Sequence, residues 1–286
     1  MSRWLLPGFL AVGVIATMVL IVGPALYAVS LSFYDLPSLT SDPVWVGFDK
    51  YAELLVSAEF WNALRNGVVY AGLSIILQVV LGIGFALLLN QKFRGRSILR
   101  GLAFLPYLLP TVIAVLTFKW MVDGSLGIVS ILMDELGLPP IYWFETESMA
   151  MFSVILISVW LWTPFVTTTF LAGLQTVPTQ LYEAARIDGA GPIRQFWHIT
   201  LPSLRPILTV IILLRGVWMF NKFDVIWLTT GGGPLGATEH LPVLSYRQAF
   251  ALYDIGSGAA VATLSFLVLM VAVTLYFRFF PMETGK

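Results

Sequence analysis

The sequence has no cysteine, two histidines and few charges, with Asp, Glu, Lys and Arg together making up 11% of its 286 residues. Without thiols there is no disulfide framework, no thiolate nucleophile and no thiolate metal site. His198 and His240 fall in different loops and give no metal-ligand spacing. A soluble globular domain carries about 25% charged residues, so most of this chain's surface is expected to face hydrocarbon rather than water. No Gly-x-x-x-x-Gly-Lys-Ser/Thr phosphate loop is present, and the one Gly-Lys pair is Gly285-Lys286. Nucleophile elbows and paired buried carboxylates are missing as well. The chain is therefore expected to be no enzyme on its own and to hold no cofactor. Its net charge is zero, and no nucleic-acid partner is expected.

What the chain does contain is hydrocarbon: 58% hydrophobic residues and a mean hydropathy of +0.86. A bilayer core about 30 Å thick needs ~20 apolar residues in a helix. Charge-free runs that meet or approach this are Trp4–Tyr34, Asn66–Gln91, Gly101–Phe118, Ser148–Tyr182 and Ile255–Phe277. A sixth, Pro206–Leu228, is interrupted by Arg215, Lys222 and Asp224. The expected crossings are 7–34, 66–90, 101–119, 150–174, 206–228 and 255–277, in one membrane domain spanning 1–286 with no linker and no soluble module. Trp4–Tyr34 is 31 residues long, well beyond the apolar core of about 7–15 residues in a cleavable signal, and reads as the first crossing.

Six crossings sort the loops onto two sides. One side carries Arg3, Lys92, Arg94, Arg96, Arg100, Arg186, Arg194, Arg205, Arg278 and Lys286 against Glu183, Asp188 and Glu283. The other carries thirteen acidic and five basic residues. The excess of Lys and Arg places both termini and loop 177–205 in the cytoplasm.

That loop is too long for a simple turn. Pro178 suits the first turn of a helix and Gly189 the position just past its end. Pro192 then starts a second short helix carrying Phe196, Trp197 and Ile199 towards Leu201-Pro202. The expected object is a helix–turn–helix over 177–202 along the cytoplasmic surface. Ala184 and Ala185 let another backbone come close, and Glu183 offers a fixed charge to an arginine partner. The alternative is an amphipathic interfacial hairpin with Glu183 paired internally to Arg186.

The run Glu183-Ala184-Ala185-Arg186-Ile187-Asp188-Gly189, then nine residues, then Ile199-Thr200-Leu201-Pro202, resembles the cytoplasmic signature of permease subunits in binding-protein-dependent ABC importers, at every defined position. Tyr182 through Ala190 is similar to the sugar branch, the maltose and glycerol-phosphate type. Trp218 through Trp227, Thr229 through Pro234, Leu241-Pro242, Tyr246 through Phe250 and Phe93 through Pro110 continue the likeness to a first sugar-permease subunit. The long external insert and extra amino-terminal helices of the larger maltose form are missing, leaving the minimal six-helix form. The resemblance implies a type I importer fold and a complex of two permeases, this one and a different second chain, with two ATPase subunits that carry ATP and magnesium. An extracytoplasmic binding protein delivers the solute, and the setting is a bacterial or archaeal cytoplasmic membrane. It also implies that Glu183, Ala184, Ala185, Asp188, Gly189, Ile199, Leu201 and Pro202 form the coupling site docked on the ATPase.

A sugar site needs aromatic faces for ring C–H groups and polar groups for hydroxyls. Candidates are Trp160, Trp162, Thr163 and Thr167 around Pro164, and Arg215, Trp218, Asn221 and Asp224 further on. On a continuous helix Asn221 shares one face with 214, 218 and 225 and another with 217, 220 and 224. Against this, tryptophans near helix ends commonly form the interfacial belt, and Asp224 and Lys222 sit where water reaches. Arg215 lies about nine residues, or ~14 Å, into its crossing, where an arginine costs ~2.5–3.5 kcal/mol. It is expected either to clamp an anionic solute or to pair with carbonyls or an acid on the second permease. Gly231, Gly232, Gly233 and Pro234 are either a contact for the binding protein or a flexible turn. Two other classes compete with the importer: an ion-gradient-driven secondary transporter, which calls for inverted repeats and buried acids, and a scaffold with no pathway.

Overall fold

The structure is a computed structural model that describes residues 5–37 and 41–280. Its helices are α1 (Leu5–Thr17), α2 (Gly23–Leu31), α3 (Asp49–Val56), α4 (Ala58–Asn90), α5 (Arg96–Leu108), α6 (Thr111–Met121), α7 (Ile128–Glu135), α8 (Glu147–Leu174), α9 (Thr179–Ile187), α10 (Pro192–Gln195), α11 (Leu201–Ser203), α12 (Arg205–Phe220), α13 (Phe223–Thr230), α14 (Leu241–Tyr246) and α15 (Ile255–Phe279). Wide π-helical turns at Met18–Val22, Phe196–Thr200 and Arg247–Ala251 join α1 to α2, α10 to α11, and extend α14. The strands among the described residues are β1 (Tyr34–Asp35) and β2 (Val44–Trp45), paired antiparallel with Tyr34 opposite Trp45.

Four helical stretches are long and apolar enough to cross a membrane: Leu10–Leu31, Ala58–Asn90, Glu147–Leu174 and Ile255–Phe279. Two bent pairs raise the number to six if each is one span. The crossing expected over 101–119 is not a straight helix. Here α5 and α6 meet at 95° across Leu109-Pro110, because a residue before proline is driven out of the helical region and Leu109 is extended (φ −74°, ψ 134°). The crossing expected over 206–228 stops at Phe220. Asn221 and Lys222 leave helical geometry, and Asp224 opens α13 by accepting the Val225 N–H at 3.0 Å. At 33 residues, α4 is roughly 50 Å long at the usual rise, so its first turns, with Glu59 and Arg65, stand outside the hydrocarbon.

The chain divides into two compact units. One is Met1–Leu64 with His240–Val268. In it Asp254 caps α15, taking the Ser257 N–H at 2.9 Å and its hydroxyl at 2.7 Å, the usual N-cap arrangement. Lys50 on α3 reaches Asp254 at 3.1 Å and Asp35 on β1 at 2.9 Å. The Ile255 N–H donates to the Leu36 carbonyl at 3.1 Å, so the first strand and the last span are tied at three points. Burial disfavours the Lys50 ammonium, but bonds to Asp35 and Asp254 override it and hold its pKa above the ordinary lysine value. Burial likewise opposes ionisation of Asp254, yet the Ser257 bonds and Lys50 bring its pKa below the usual carboxylate value.

The second unit is Arg65–Glu239 with Leu269–Lys286. Its packing rests on a stripe along α4, Tyr70, Ser74, Gln78, Gly82 and Ala86, all buried. Spacing by four puts these residues on one helical face. Below them lies a hydrophobic cluster that includes Ala86, Leu89, Val166, Phe170, Leu174, Leu204 and Ile211, which joins α4, α8 and α12. Although Pro164 sits inside α8, the helix stays continuous.

Candidate functional site: a coupling hairpin and a buried guanidinium

The signature run folds as the helix–turn–helix its prolines and glycine call for. Helix α9 ends in a Schellman motif, with the Ala190 N–H on the Ala185 carbonyl at 2.8 Å and the Gly189 N–H on the Arg186 carbonyl at 3.0 Å. The motif needs a left-handed residue after the cap, and Gly189 supplies it at φ +75°. The Gln195 amide closes the turn on the Ala190 carbonyl at 2.6 Å. Tyr182 on α9 shares a hydrogen bond with Thr200 at 2.9 Å. Tyr182 and Ile199 also pack against the α4–α8–α12 cluster, so the hairpin is seated on the helices it would have to move.

The outer face of the hairpin is open. Glu183, Ala184, Asp188, Gly189 and Pro202 are exposed, and Ala185 and Leu201 are partly so. The internal Glu183–Arg186 pair does not form: among the described residues Glu183 makes no ion pair. Ile187 (87% exposed) and Ile193 (77%) flank the turn. Two large apolar side chains in water beside an unpaired carboxylate are the makings of a protein contact, and sequence reading did not single them out.

Deeper in the same unit, Arg215 is fully buried on α12. Its Nε donates to Gln78 Oε1 at 2.8 Å. The Gln78 amide donates to the Ser158 carbonyl at 3.3 Å and towards Met219 Sδ at 3.5 Å. Three rings surround the guanidinium carbon, Trp162 at 5.2 Å, Trp218 at 5.6 Å and Phe165 at 5.9 Å, each a weak but additive attraction once water is excluded. Tyr107 meets the edge of Trp162 at 5.6 Å. Arg215 thus has partners within its own chain, an amide and aromatic faces. Its Nη2 and the Trp162 Nε1 remain buried without a hydrogen-bond acceptor.

Of the other pathway candidates, Trp218 joins this cluster with much of its ring exposed. Lys222 Nζ lies 4.3 Å from the centre of the Trp162 ring and pairs with Asp224 at 3.1 Å, so Asp224 is bonded and not merely solvated. Thr163 and Thr167 are buried with their hydroxyls spent on the carbonyls of Val159 and Thr163. Trp160 is half-exposed and makes no ring contact with the cluster among the described residues. Asn221 does not bridge two helical faces, because the helix ends there; its amide caps the Val217 carbonyl at 3.1 Å, a habit of asparagine at helix ends. Gln78, Tyr70 and Ser158 were not anticipated. For Tyr70 and Gln78 the signal was a polar residue every fourth position in an apolar run.

The Gly231–Pro234 segment is not a loose turn. Gly231 ends α13 at φ +64°, and the Gly233–Pro234 bond is cis. Thr238 bonds Thr230 at 2.7 Å and the Gly233 carbonyl at 2.9 Å. Asn66 on α4 donates to the carbonyls of Gly236 and Glu239 at 2.8 and 3.0 Å. From this knitted base Leu235 projects, 93% exposed.

Residues 78–281 match the family described as "binding-protein-dependent transport system inner membrane component". The chain is 35% identical over 273 residues to the trehalose/maltose transport system permease protein MalF of Thermococcus litoralis, covering 95% of this chain and 92% of that one. It is 33% identical over 285 residues to the sulfoquinovosyl glycerol transport system permease protein SmoG of Agrobacterium fabrum, at 97% and 92% coverage. Its fold matches a chain in the crystal structure of a bacterial ABC transporter involved in the import of the acidic polysaccharide alginate, with a TM-score of 0.85 over 99% of this chain and 96% of that one, at 22% identity. A hairpin that presents an unpaired carboxylate, a helical framework that crosses the bilayer and these similarities lead to one statement: the chain belongs to the family of binding-protein-dependent transport system inner membrane components, the permease subunits of ABC importers.

Proposed function

We propose that this chain is one permease of an ATP-driven importer for a sugar or sugar derivative, with six crossings and both termini in the cytoplasm. A second permease, two ATPase subunits holding ATP and magnesium, and an extracytoplasmic binding protein complete the machine, and the chain itself catalyses nothing. Coupling runs through the 177–202 hairpin, whose open face carries Glu183 and whose inner face rests on the core through Tyr182 and Ile199. The observation that carries this is the seating of the signature: its Gly189 turn is closed by two backbone bonds, its outer face is exposed, and its inner face packs on the cluster that joins α4, α8 and α12. An inward push on such an element moves the helix ends rather than deforming a loop. The relatives' names, trehalose/maltose and sulfoquinovosyl glycerol, support the sugar class. The aromatic cluster at Trp162 and Trp218, with donors on Arg215 and Trp162 awaiting oxygen, suits a hydroxylated solute. The loop Gly231–Pro234, with Leu235 at its tip, is the proposed contact for the binding protein.

Glu183→Ala and Ile187→Asp test the coupling role. Both are expected to leave the chain in the membrane while abolishing ATP-dependent uptake and co-purification of the ATPase. Retention of both activities in both variants overturns the coupling assignment. Uptake that follows a proton gradient without ATP overturns the importer reading itself.

A further inference from the structure

A groove of about 460 Å³ opens between the end of α4, α5 and α8, lined by Leu89, Ala103, Phe104, Leu171 and Ala172 with Arg100 at its rim. This volume falls in the range of small-molecule sites, ~300–1,000 Å³. Thr167 and Thr168 also face it, but both hydroxyls are committed to carbonyls of their own helix, at 3.1 and 2.8 Å. The groove is therefore hydrocarbon-like inside, a poor fit for a sugar.

Arg100 lines the groove, and the segment that leads into it is strongly cationic. Lys92, Arg94, Arg96 and Arg100 fall within nine residues that hold no acid, and none of the four forms an ion pair among the described residues. Arg100 is fixed: its Nη2 donates to the Leu89 carbonyl at 2.9 Å, while its Nε is buried with no acceptor. A guanidinium held by one nitrogen and short of an acceptor at another presents its fork to an oxyanion, and phosphate fits that geometry. Along α5, Ile98 and Leu102 are exposed, which sets the cations at the depth where hydrocarbon meets headgroup.

We propose that this groove binds one anionic glycerophospholipid, its phosphate on Arg100 among Lys92, Arg94 and Arg96 and an acyl chain against Phe104 and Leu171. Basic pockets between spanning helices take anionic headgroups in this way. Arg215, Trp162 and Trp218 do not line the groove, and its occupancy does not depend on which face of the membrane is cytoplasmic. A bound lipid would brace the α5–α8 contact beside the bend at Leu109-Pro110.

The complete transporter, purified in mild detergent from membranes containing phosphatidylglycerol and phosphatidylethanolamine, is analysed by native mass spectrometry for retained phospholipid. The wild type is expected to hold phosphatidylglycerol selectively. Arg100→Gln lowers its retention by about fivefold or more, given the usual contribution of one interfacial cation. Gly101→Leu fills the groove with Arg100 intact, since nothing lies within 4 Å of a Cβ there, and is also expected to displace the lipid. Arg278→Gln removes a charge elsewhere and is expected to leave retention unchanged. Equal retention of both lipids, loss caused equally by Arg278→Gln, or undiminished phosphatidylglycerol in both Arg100→Gln and Gly101→Leu would each overturn the proposal. Thermal unfolding of each variant in detergent identifies any that lose lipid by failing to fold, and the surviving variant then decides.

Discussion

Gly82→Ala is a one-carbon change with a calculable consequence. A Cβ at Gly82 would lie 2.7 Å from Val166 Cβ and 3.2 Å from the Thr167 backbone nitrogen. Real Cβ atoms do not tolerate the first distance, and neither neighbour is the free end of a side chain: relief requires α4 and α8 to separate. Overpacking of this kind costs about 1–3 kcal/mol, and the gain from replacing a helical glycine returns only about 1 kcal/mol. Two internal comparisons sharpen the expectation. At Gly173 the nearest atoms are side-chain termini, Ile207 Cδ1 at 2.6 Å and Leu204 Cδ2 at 3.1 Å, which can rotate away, so Gly173→Ala is expected to cost less. At Gly84, two residues from Gly82, nothing lies within 4 Å, and Gly84→Ala is expected to be neutral or stabilising by up to about 1 kcal/mol. Thermal unfolding of the purified chain in detergent, followed through tryptophan fluorescence, should rank the variants with Gly82→Ala lowest, Gly173→Ala next and Gly84→Ala highest. Val166→Gly, which removes the Cβ and the Cγ1 at 2.6 Å, is destabilising by itself, but in a double-mutant cycle with Gly82→Ala the two losses should be less than additive. A Gly82→Ala protein as stable as Gly84→Ala would refute the reasoning, since it would mean that α4 and α8 do not meet at this distance.

Other perturbations follow from the same geometry. Gln78→Leu leaves Arg215 Nε without its acceptor and is expected to destabilise by about 1.5–3 kcal/mol; adding Arg215→Met should restore much of that in a double-mutant cycle, and strict additivity would show that the pair is not coupled. The tie between Lys50, Asp35 and Asp254 has two limits in pH. Asp254 has a lowered pKa, so its contribution is complete above the ordinary carboxylate value of about 3.9 and fades as pH falls through its folded value. Lys50 has a raised pKa, so its contribution is complete below about 10.4 and fades as pH rises past its folded value. Amide protection at Ile255, corrected for intrinsic exchange, should therefore be flat through neutral pH and drop at both extremes, with Asp254→Asn removing the acid limb. With no native cysteine, single replacements Ile187→Cys and Leu235→Cys, both at exposed positions, should react with an impermeant maleimide from opposite faces of intact vesicles; labelling from the same face would overturn the assigned orientation.

Much of the architecture was written in long-range composition. Apolar runs located the four stretches long and apolar enough to cross a membrane, because length and the absence of charge can be read without knowledge of neighbours. The signature hairpin was legible because its turn is local: a glycine at the left-handed position and a proline after it act over a few residues. The bends were not legible in the same way. Pro110 lay inside the run expected to form one crossing over 101–119, where proline does not by itself rule out a helix, and the 95° angle depends on what α5 and α6 pack against. At Asn221 a continuous periodicity suggested a continuous face, whereas a side-chain cap and the Lys222–Asp224 pair end the helix there. The setting of Arg215 shows the limit most clearly. The sequence marked the charge as requiring a partner, but Gln78 lies 137 positions away and enters contact only because α4 packs its polar stripe on α8 and α12. A scan for polar residues at four-residue spacing inside an apolar run would have marked Tyr70, Ser74 and Gln78 together, without saying what they face.

The ion pair between Lys50 and Asp254 spans 204 residues of chain, which has a consequence for biogenesis. Residues 1–64 and 240–268 form one compact unit, so the earliest part of the polypeptide to enter the membrane is among the last to reach its final contacts. While the ribosome is still making the central helices, the β1–β2 pair has neither the Asp254 carboxylate nor the Ile255 amide to hold it. A nascent chain that stalls before Asp254 carries an unclosed amino-terminal segment beside otherwise inserted spans. Completion of the last helix thus acts as a mark of full-length synthesis, available to whatever surveys the membrane for unfinished proteins.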